Sequence, residues 1–141
     1  MKTKISSKIL LTLGLMFVLV SAITQVHGDS PAISVVTIHS TGAVHRGETG
    51  SFVVDMRPPL TLGGAYVNFS VSGSAVPGVD YASLVSPTYV GGSGYGVILI
   101  QTLPDPRGSS FRRAYDVVLT LEPGLGYAVG EPKSAKMTIK P

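Results

Sequence analysis

The sequence predicts an all-β fold: a two-sheet antiparallel sandwich of immunoglobulin-like size with about seven strands. Apolar residues recur with a period of two in several short runs, the spacing of a strand with one buried face. Gly, Pro, Ser and Asp gather between those runs, where turns are needed. No segment beyond residue 28 carries the i, i+3, i+4 stripe of an amphipathic helix. A closed barrel is the alternative architecture. The absence of Cys and Trp excludes an antibody-type domain, whose core uses both, but not the sandwich itself.

The first element is an export signal over residues 1–28. Lys2, Lys4 and Lys8 precede an apolar run from Ile9 to Val20, and small residues follow. That order of basic, apolar and small segments is the pattern of a secretory signal peptide. The apolar run, 12 residues from Ile9 to Val20, is short of the roughly 20 needed to span a bilayer. Val26 and Gly28 place the expected cleavage before Asp29, with Ala22/Ile23 as a second site. The chain from 29 to 141 is then expected to be one exported domain, extracellular or periplasmic, with no membrane span after cleavage.

Within that domain the strands follow in order. Ala32 to His39 and Ser51 to Met56 are the first two. In the next, Ala65 to Ser72, Val67, Phe69 and Val71 alternate with Asn68, Ser70 and Ser72. Pro77-Gly78 before Asp80-Tyr81 reads as a loop in which Tyr81 packs down and Asp80 faces out. Gly91 to Gly96 reads as a flexible loop. Val97-Ile98-Leu99-Ile100 is a continuous apolar run and is expected to be covered on both faces. Tyr115, Val117, Leu119 and Leu121 form an alternating strand, with Val118 the exception. Gly124 to Gly130 is expected to be a turn, and Ala135, Met137 and Ile139 alternate with lysine and threonine in the last strand.

Charge narrows the function classes. Three of the eleven basic residues lie in the export segment, leaving eight basic against eight acidic in residues 29–141. A net charge of zero, with only Arg112 and Arg113 adjacent, lacks the clustered cations that nucleic-acid binding requires. Without Cys there is no disulfide framework, thiolate nucleophile or cysteine zinc site.

The order of the loop motifs carries further information. Gly73-Ser74-Ala75-Val76-Pro77-Gly78-Val79-Asp80-Tyr81 follows the strand Ala65 to Ser72, and Gly126-Tyr127-Ala128-Val129-Gly130-Glu131-Pro132 leads into Ala135-Lys136-Met137-Thr138-Ile139. Together with Gly50-Ser51-Phe52-Val53-Val54 and the acidic loop at Asp105, this resembles a Calx-beta domain over residues 32 to 140. The resemblance implies a non-catalytic module of adhesion or matrix type, and in many members Ca²⁺ bound by loop carboxylates at one end of the sandwich. Matched position by position, it nominates Asp80 and Asp105 as metal ligands. Where the family carries further acids, this chain has Pro106 after Asp105 and Arg113 two residues before Tyr115, with Arg112 alongside. Glu48 matches another family acid only if the alignment slides. Calcium takes six to eight oxygens, and a guanidinium beside the remaining carboxylates repels it. The expectation is therefore that Arg112 or Arg113 pairs with Asp80 and Asp105, and that calcium, if bound, is bound weakly.

Catalytic patterns are missing. His39 and His45 have no zinc spacing, and Gly91-Gly92-Ser93-Gly94-Tyr95-Gly96 does not form a GxSxG elbow. Gly124-Leu125-Gly126 leads into a strand, so it is no phosphate loop. No catalytic residue and no cofactor are expected. Asn68-Phe69-Ser70 is a glycosylation sequon if the source is eukaryotic. The two functional readings are an exported interaction or structural module and a calcium-binding module. The chain is expected to be a monomer or to associate weakly, its protein or surface partner meeting a sheet edge or the loop end.

Overall fold

A computed structural model describes residues 32–108 and 113–141. The expected export signal, residues 1–28, lies outside them. Nine strands follow in chain order: β1 (Ser34–Ser40), β2 (Ala43–His45), β3 (Thr49–Arg57), β4 (Ala65–Gly73), β5 (Thr88–Val90), β6 (Tyr95–Gln101), β7 (Tyr115–Glu122), β8 (Tyr127–Val129) and β9 (Ser134–Lys140). They form two sheets, one ordered β6-β3-β1-β8 and the other β2-β9-β7-β4-β5. This is the expected sandwich of separate sheets. Among the described residues no helix is long and apolar enough to cross a membrane.

Five of the six long strands fall on the alternating runs of the sequence, and β6 falls on the continuous apolar run Val97–Ile100. Their alternation is visible in burial: Phe52, Val54 and Met56 of β3, Val67 and Phe69 of β4, and Val117, Leu119 and Leu121 of β7 point inward. Val36 and Ile38 of β1, Ile98 and Ile100 of β6 and Met137 and Ile139 of β9 complete the layer between the sheets. Tyr81 is the largest fully buried side chain and closes one end of this core.

Four sequence expectations need correction. The sandwich is not wholly antiparallel, because β1 pairs parallel with β8 and β2 parallel with β9. The N-terminal strand divides at Thr41-Gly42 and serves both sheets, so its second half lies beside the last strand of the chain. β6 is not covered on both faces: Ile98 is 7% exposed, but Val97 is 47% and Leu99 63% exposed. It is an edge strand, and its apolar residues alternate between the core and the outside. The run Gly124 to Gly130 is not all turn, since it contains β8. Tyr127 anchors that strand, its hydroxyl donating to the Glu122 carbonyl at 2.8 Å and accepting from the Asn68 amide at 2.9 Å. Asp80 does not face out; its side chain is fully buried.

Glycine closes β4 for a specific reason. Gly73 has φ +117, and a Cβ there would collide with the Asp116 carbonyl on β7. Only glycine combines that dihedral with so close a strand approach. The chain then turns, Ala75 donates to the same carbonyl at 3.0 Å, and the Val76–Tyr81 loop is delivered to the end of the sandwich.

Candidate functional site

Three loops meet at that end: the turn between β2 and β3, the loop after β4, and the loop after β6. The loop after β4 is folded on itself. Asp80 donates its amide to the Val76 carbonyl at 2.8 Å, and its Oδ2 accepts the Val76 amide at 2.8 Å. Gly78, at φ +77, lets its amide reach the Tyr81 carbonyl at 2.7 Å. Two further bonds tie this loop to the end of β6, from Ala82 to the Gln101 carbonyl and from Leu103 to the Asp80 carbonyl, each at 2.9 Å. Thr102, also buried, hydrogen-bonds the His45 and Glu48 carbonyls through Oγ1 at 3.1 and 2.6 Å. The three loops therefore share one backbone network.

Charged side chains occupy the centre of this network. Arg46 Nη2 lies 2.5 Å from Asp80 Oδ1 and 3.5 Å from Asp105 Oδ2, and its Nη1 donates to the Leu103 carbonyl at 3.0 Å. Arg107 Nη2 reaches the same Asp80 Oδ1. Asp105 Oδ1 accepts both the Arg107 amide at 3.0 Å and its Nε at 2.8 Å. Both guanidinium groups stand over the Tyr115 ring, Arg107 at 4.2 Å and Arg46 at 5.5 Å from its centroid, a cation–π geometry. The Arg46 side chain is only 9% exposed. Its Nε is a buried donor with no partner among the described residues.

The electrostatics follow from these contacts. Burial alone would raise the Asp80 pKa, but the Arg46 hydrogen bond, the Val76 amide and the charges of Arg107 and Arg46 together hold it below the usual carboxylate value. Asp105 is lowered chiefly by its hydrogen bond from Arg107, and Arg107 is raised by the same bond. The Tyr81 hydroxyl is pushed up, first by burial and then by the Asp80 charge beside it. Two carboxylates and two guanidinium groups sum to no formal charge, and each of the four carboxylate oxygens already faces a donor.

The structure brings Asp80 and Asp105 to one place through shared arginines. The arginines that do so are Arg46 and Arg107. Arg113 is exposed and takes no part in the cluster, and Arg112 lies outside the described residues. The physical reason is local. Asp105-Pro106-Arg107-Gly108 has Asp, Pro and Gly where a type I turn wants them, which places the Arg107 amide on the Asp105 carboxylate and turns its side chain inward. Arg46 sits in the β2–β3 turn, two residues before Glu48, the acid that a shifted alignment would nominate. Glu48 instead accepts the His45 amide at 3.1 Å and shapes the turn. The aspartate, proline and glycine signals of that Asp-Pro-x-Gly turn are readable in the sequence; the inward course of Arg46 is not. His39 pairs with Asp55 at 3.1 Å on the surface, away from the cluster. Among the described residues no group of three or more His, Cys, Asp or Glu side chains could hold a metal ion.

No protein-family model matches the sequence, and no curated protein matches it. Solved structures do share the fold. A crystal structure of CBD12 from CALX1.2 has a TM-score of 0.59 with 14% identity, over 74% of this chain and 44% of that one. A crystal structure of the calcium binding domain CBD12 of CALX1.1 has a TM-score of 0.54 with 15% identity, over 73% of this chain and 43% of that one. The chain thus spans less than half the length of either. The fold is a Calx-beta-like β-sandwich.

At the opposite end, a cavity of about 410 Å³ lies between the β3–β4 and β7–β8 loops, lined by Leu60, Tyr66, Asn68 and Leu125. It contains no charged side chain. Asn68 Nδ2 in its wall donates to the Pro123 carbonyl at 3.1 Å, so the sequon nitrogen is engaged in the fold.

Proposed function

We propose that the chain is an exported, non-catalytic β-sandwich module, an interaction or structural unit of adhesion or cell-surface type. Its loop end is held by an internal ion cluster, at the end of the sandwich where the Calx-beta resemblance implies a metal. The observation that carries this reading is the convergence of Arg46 and Arg107 on Asp80 Oδ1. The guanidinium groups supply the positive charge that would otherwise come from a cation, and they use the oxygens that would bind it. The signal-like pattern of residues 1–28 and the absence of a recognisable catalytic motif in the sequence support the rest.

A calcium-binding module is the second reading. It is favoured by the meeting of Asp80 and Asp105 at one loop end in a fold shared with a structure described as a calcium binding domain. Thermal unfolding in millimolar Ca²⁺ and in chelator separates the two. Coincident curves are expected. A rise of several degrees in Ca²⁺ that disappears in Asp80→Ala would establish the calcium reading in its place.

A further inference from the structure

We propose that β6 is a self-pairing edge, through which two copies of the chain join their β6-β3-β1-β8 sheets antiparallel about a two-fold axis at Val97. This goes beyond the functional reading above and does not depend on how the loop end is held.

The backbone direction of β6 is fixed by its neighbours. The Gly94 carbonyl accepts from Met56 of β3 at 2.7 Å, and the Thr102 amide donates to Glu48 at 3.1 Å. Even-numbered residues therefore address β3, as the register Phe52↔Ile98 and Gly50↔Ile100 requires. Odd-numbered residues turn their N–H and C=O groups to the other side. Gln101 confirms the alternation, since its carbonyl bonds Ala82 on that side at 2.9 Å. The backbone groups of Tyr95, Val97 and Leu99 have no partner among the described residues. Their side chains share the outer face and are 54%, 47% and 63% exposed.

Such an edge is usually blunted by lysine, proline or a bulge. From Tyr95 to Gln101 there is no charged residue and no proline. The segment is also complementary to itself. Antiparallel pairing with Val97 opposite Val97 of a second copy sets Tyr95 against the second copy's Leu99, and the reverse. All three positions are odd-numbered, so each pair is of the kind that exchanges both ladder bonds, roughly six bonds in total. Apolar meets apolar at every outer position, and no like charges are brought together. The balance of eight acidic and eight basic residues in 29–141 leaves little long-range repulsion between copies. A second copy is the occupant that matches because a two-fold contact needs one patch that fits itself. One strand pairing buries less than the roughly 800 Å² per partner of a stable interface, so the association is weak and reversible.

Sedimentation equilibrium of the exported chain tests this. The average mass should rise from one chain toward two as concentration goes from about ten micromolar to about one millimolar. Val97→Lys and Val97→Glu should each stay monomeric over that range with wild-type circular dichroism and melting, because each places like charges on the axis. Mixed in equal amounts, the two variants should associate again. Leu125→Lys, on an exposed loop of the other end, should behave as wild type. A wild-type chain that stays monomeric to a millimolar, a Val97→Lys variant that associates as wild type does, or a charge-swapped mixture that remains monomeric would each overturn the proposal. Loss of association in Leu125→Lys would place the contact elsewhere and overturn it too.

Discussion

Asp80 and Arg46 stand 34 positions apart in the chain and 2.5 Å apart in the fold, the carboxylate fully buried and the guanidinium nearly so. A buried charge with its partner removed is more costly than either an intact pair or an apolar replacement of both. The loop end should therefore respond more to removal of one partner than to any change on its surface.

Asp80→Asn should destabilise the domain by about 3 kcal/mol and lower the melting temperature by about 10 °C or more. It leaves two guanidinium groups against a neutral amide. Arg46→Met should also destabilise it, and the double variant should lose less than the sum of the two. Urea unfolding of the four proteins measures the coupling, and additive losses would show that the pair does not act as a unit.

Stability should fall on the acid side. Asp80 and Asp105 have folded pKa values below their unfolded ones, so their contribution is complete above the unfolded carboxylate value of about 4 and is lost as pH drops through the lowered folded values. Tyr81 is raised, so its contribution holds below about 10 and is lost at higher pH. Melting temperature against pH should be flat between these limits, and Asp80→Asn should flatten the acid limb. An unchanged acid limb in that variant would remove Asp80 from the account.

Charge reversal should expose the geometry beneath the cluster. Arg46→Glu places a third carboxylate against Asp80 and Asp105. In chelator its melting temperature should fall below wild type, and millimolar Ca²⁺ should raise it by several degrees. Arg113→Glu should produce neither effect, because Arg113 is exposed outside the cluster. A calcium response in Arg113→Glu and none in Arg46→Glu would reverse the assignment of the arginines.

Two glycines should differ sharply. A Cβ at Gly73 meets the Asp116 carbonyl at φ +117, whereas at Gly50 the nearest atoms are the Met137 Sδ and Cε at 2.5 and 2.7 Å. A backbone carbonyl in a strand pair cannot move aside, but the end of a methionine can. Gly73→Ala should cost about 2 kcal/mol or more and Gly50→Ala clearly less. Denaturant midpoints for the two variants decide it, and equal losses would contradict the argument.

The long strands were legible because each buries one face and so writes its register into the sequence. The β2, β5 and β8 strands, three residues each, are too short for a period to show. The open face of β6 is not legible, because a run of apolar residues looks the same whether its outer face is covered or open. The two acids of the loop end were legible from motif order. Their partners were not, since Arg46 precedes Asp80 by 34 positions and no local pattern records which distant loop folds over it. The burial of Asp80 was hidden for the same reason, because a carboxylate goes inside only when its counter-charges are already there.

The parallel pairing of β2 with β9 has a mechanical consequence. Ser34 lies at the end of the sandwich that holds Tyr127, and Lys140 lies beside His45 at the other. The terminal strands thus run side by side in one direction. Tension applied to the two ends of the domain pulls them past each other along their length, loading the ladder bonds together in shear where an antiparallel terminal pair would unzip one bond at a time. The loops around Asp80, cross-braced by two guanidinium groups, close the end through which that load passes. Single-molecule extension from the two termini should give one high-force rupture, with Asp80→Asn lowering the force.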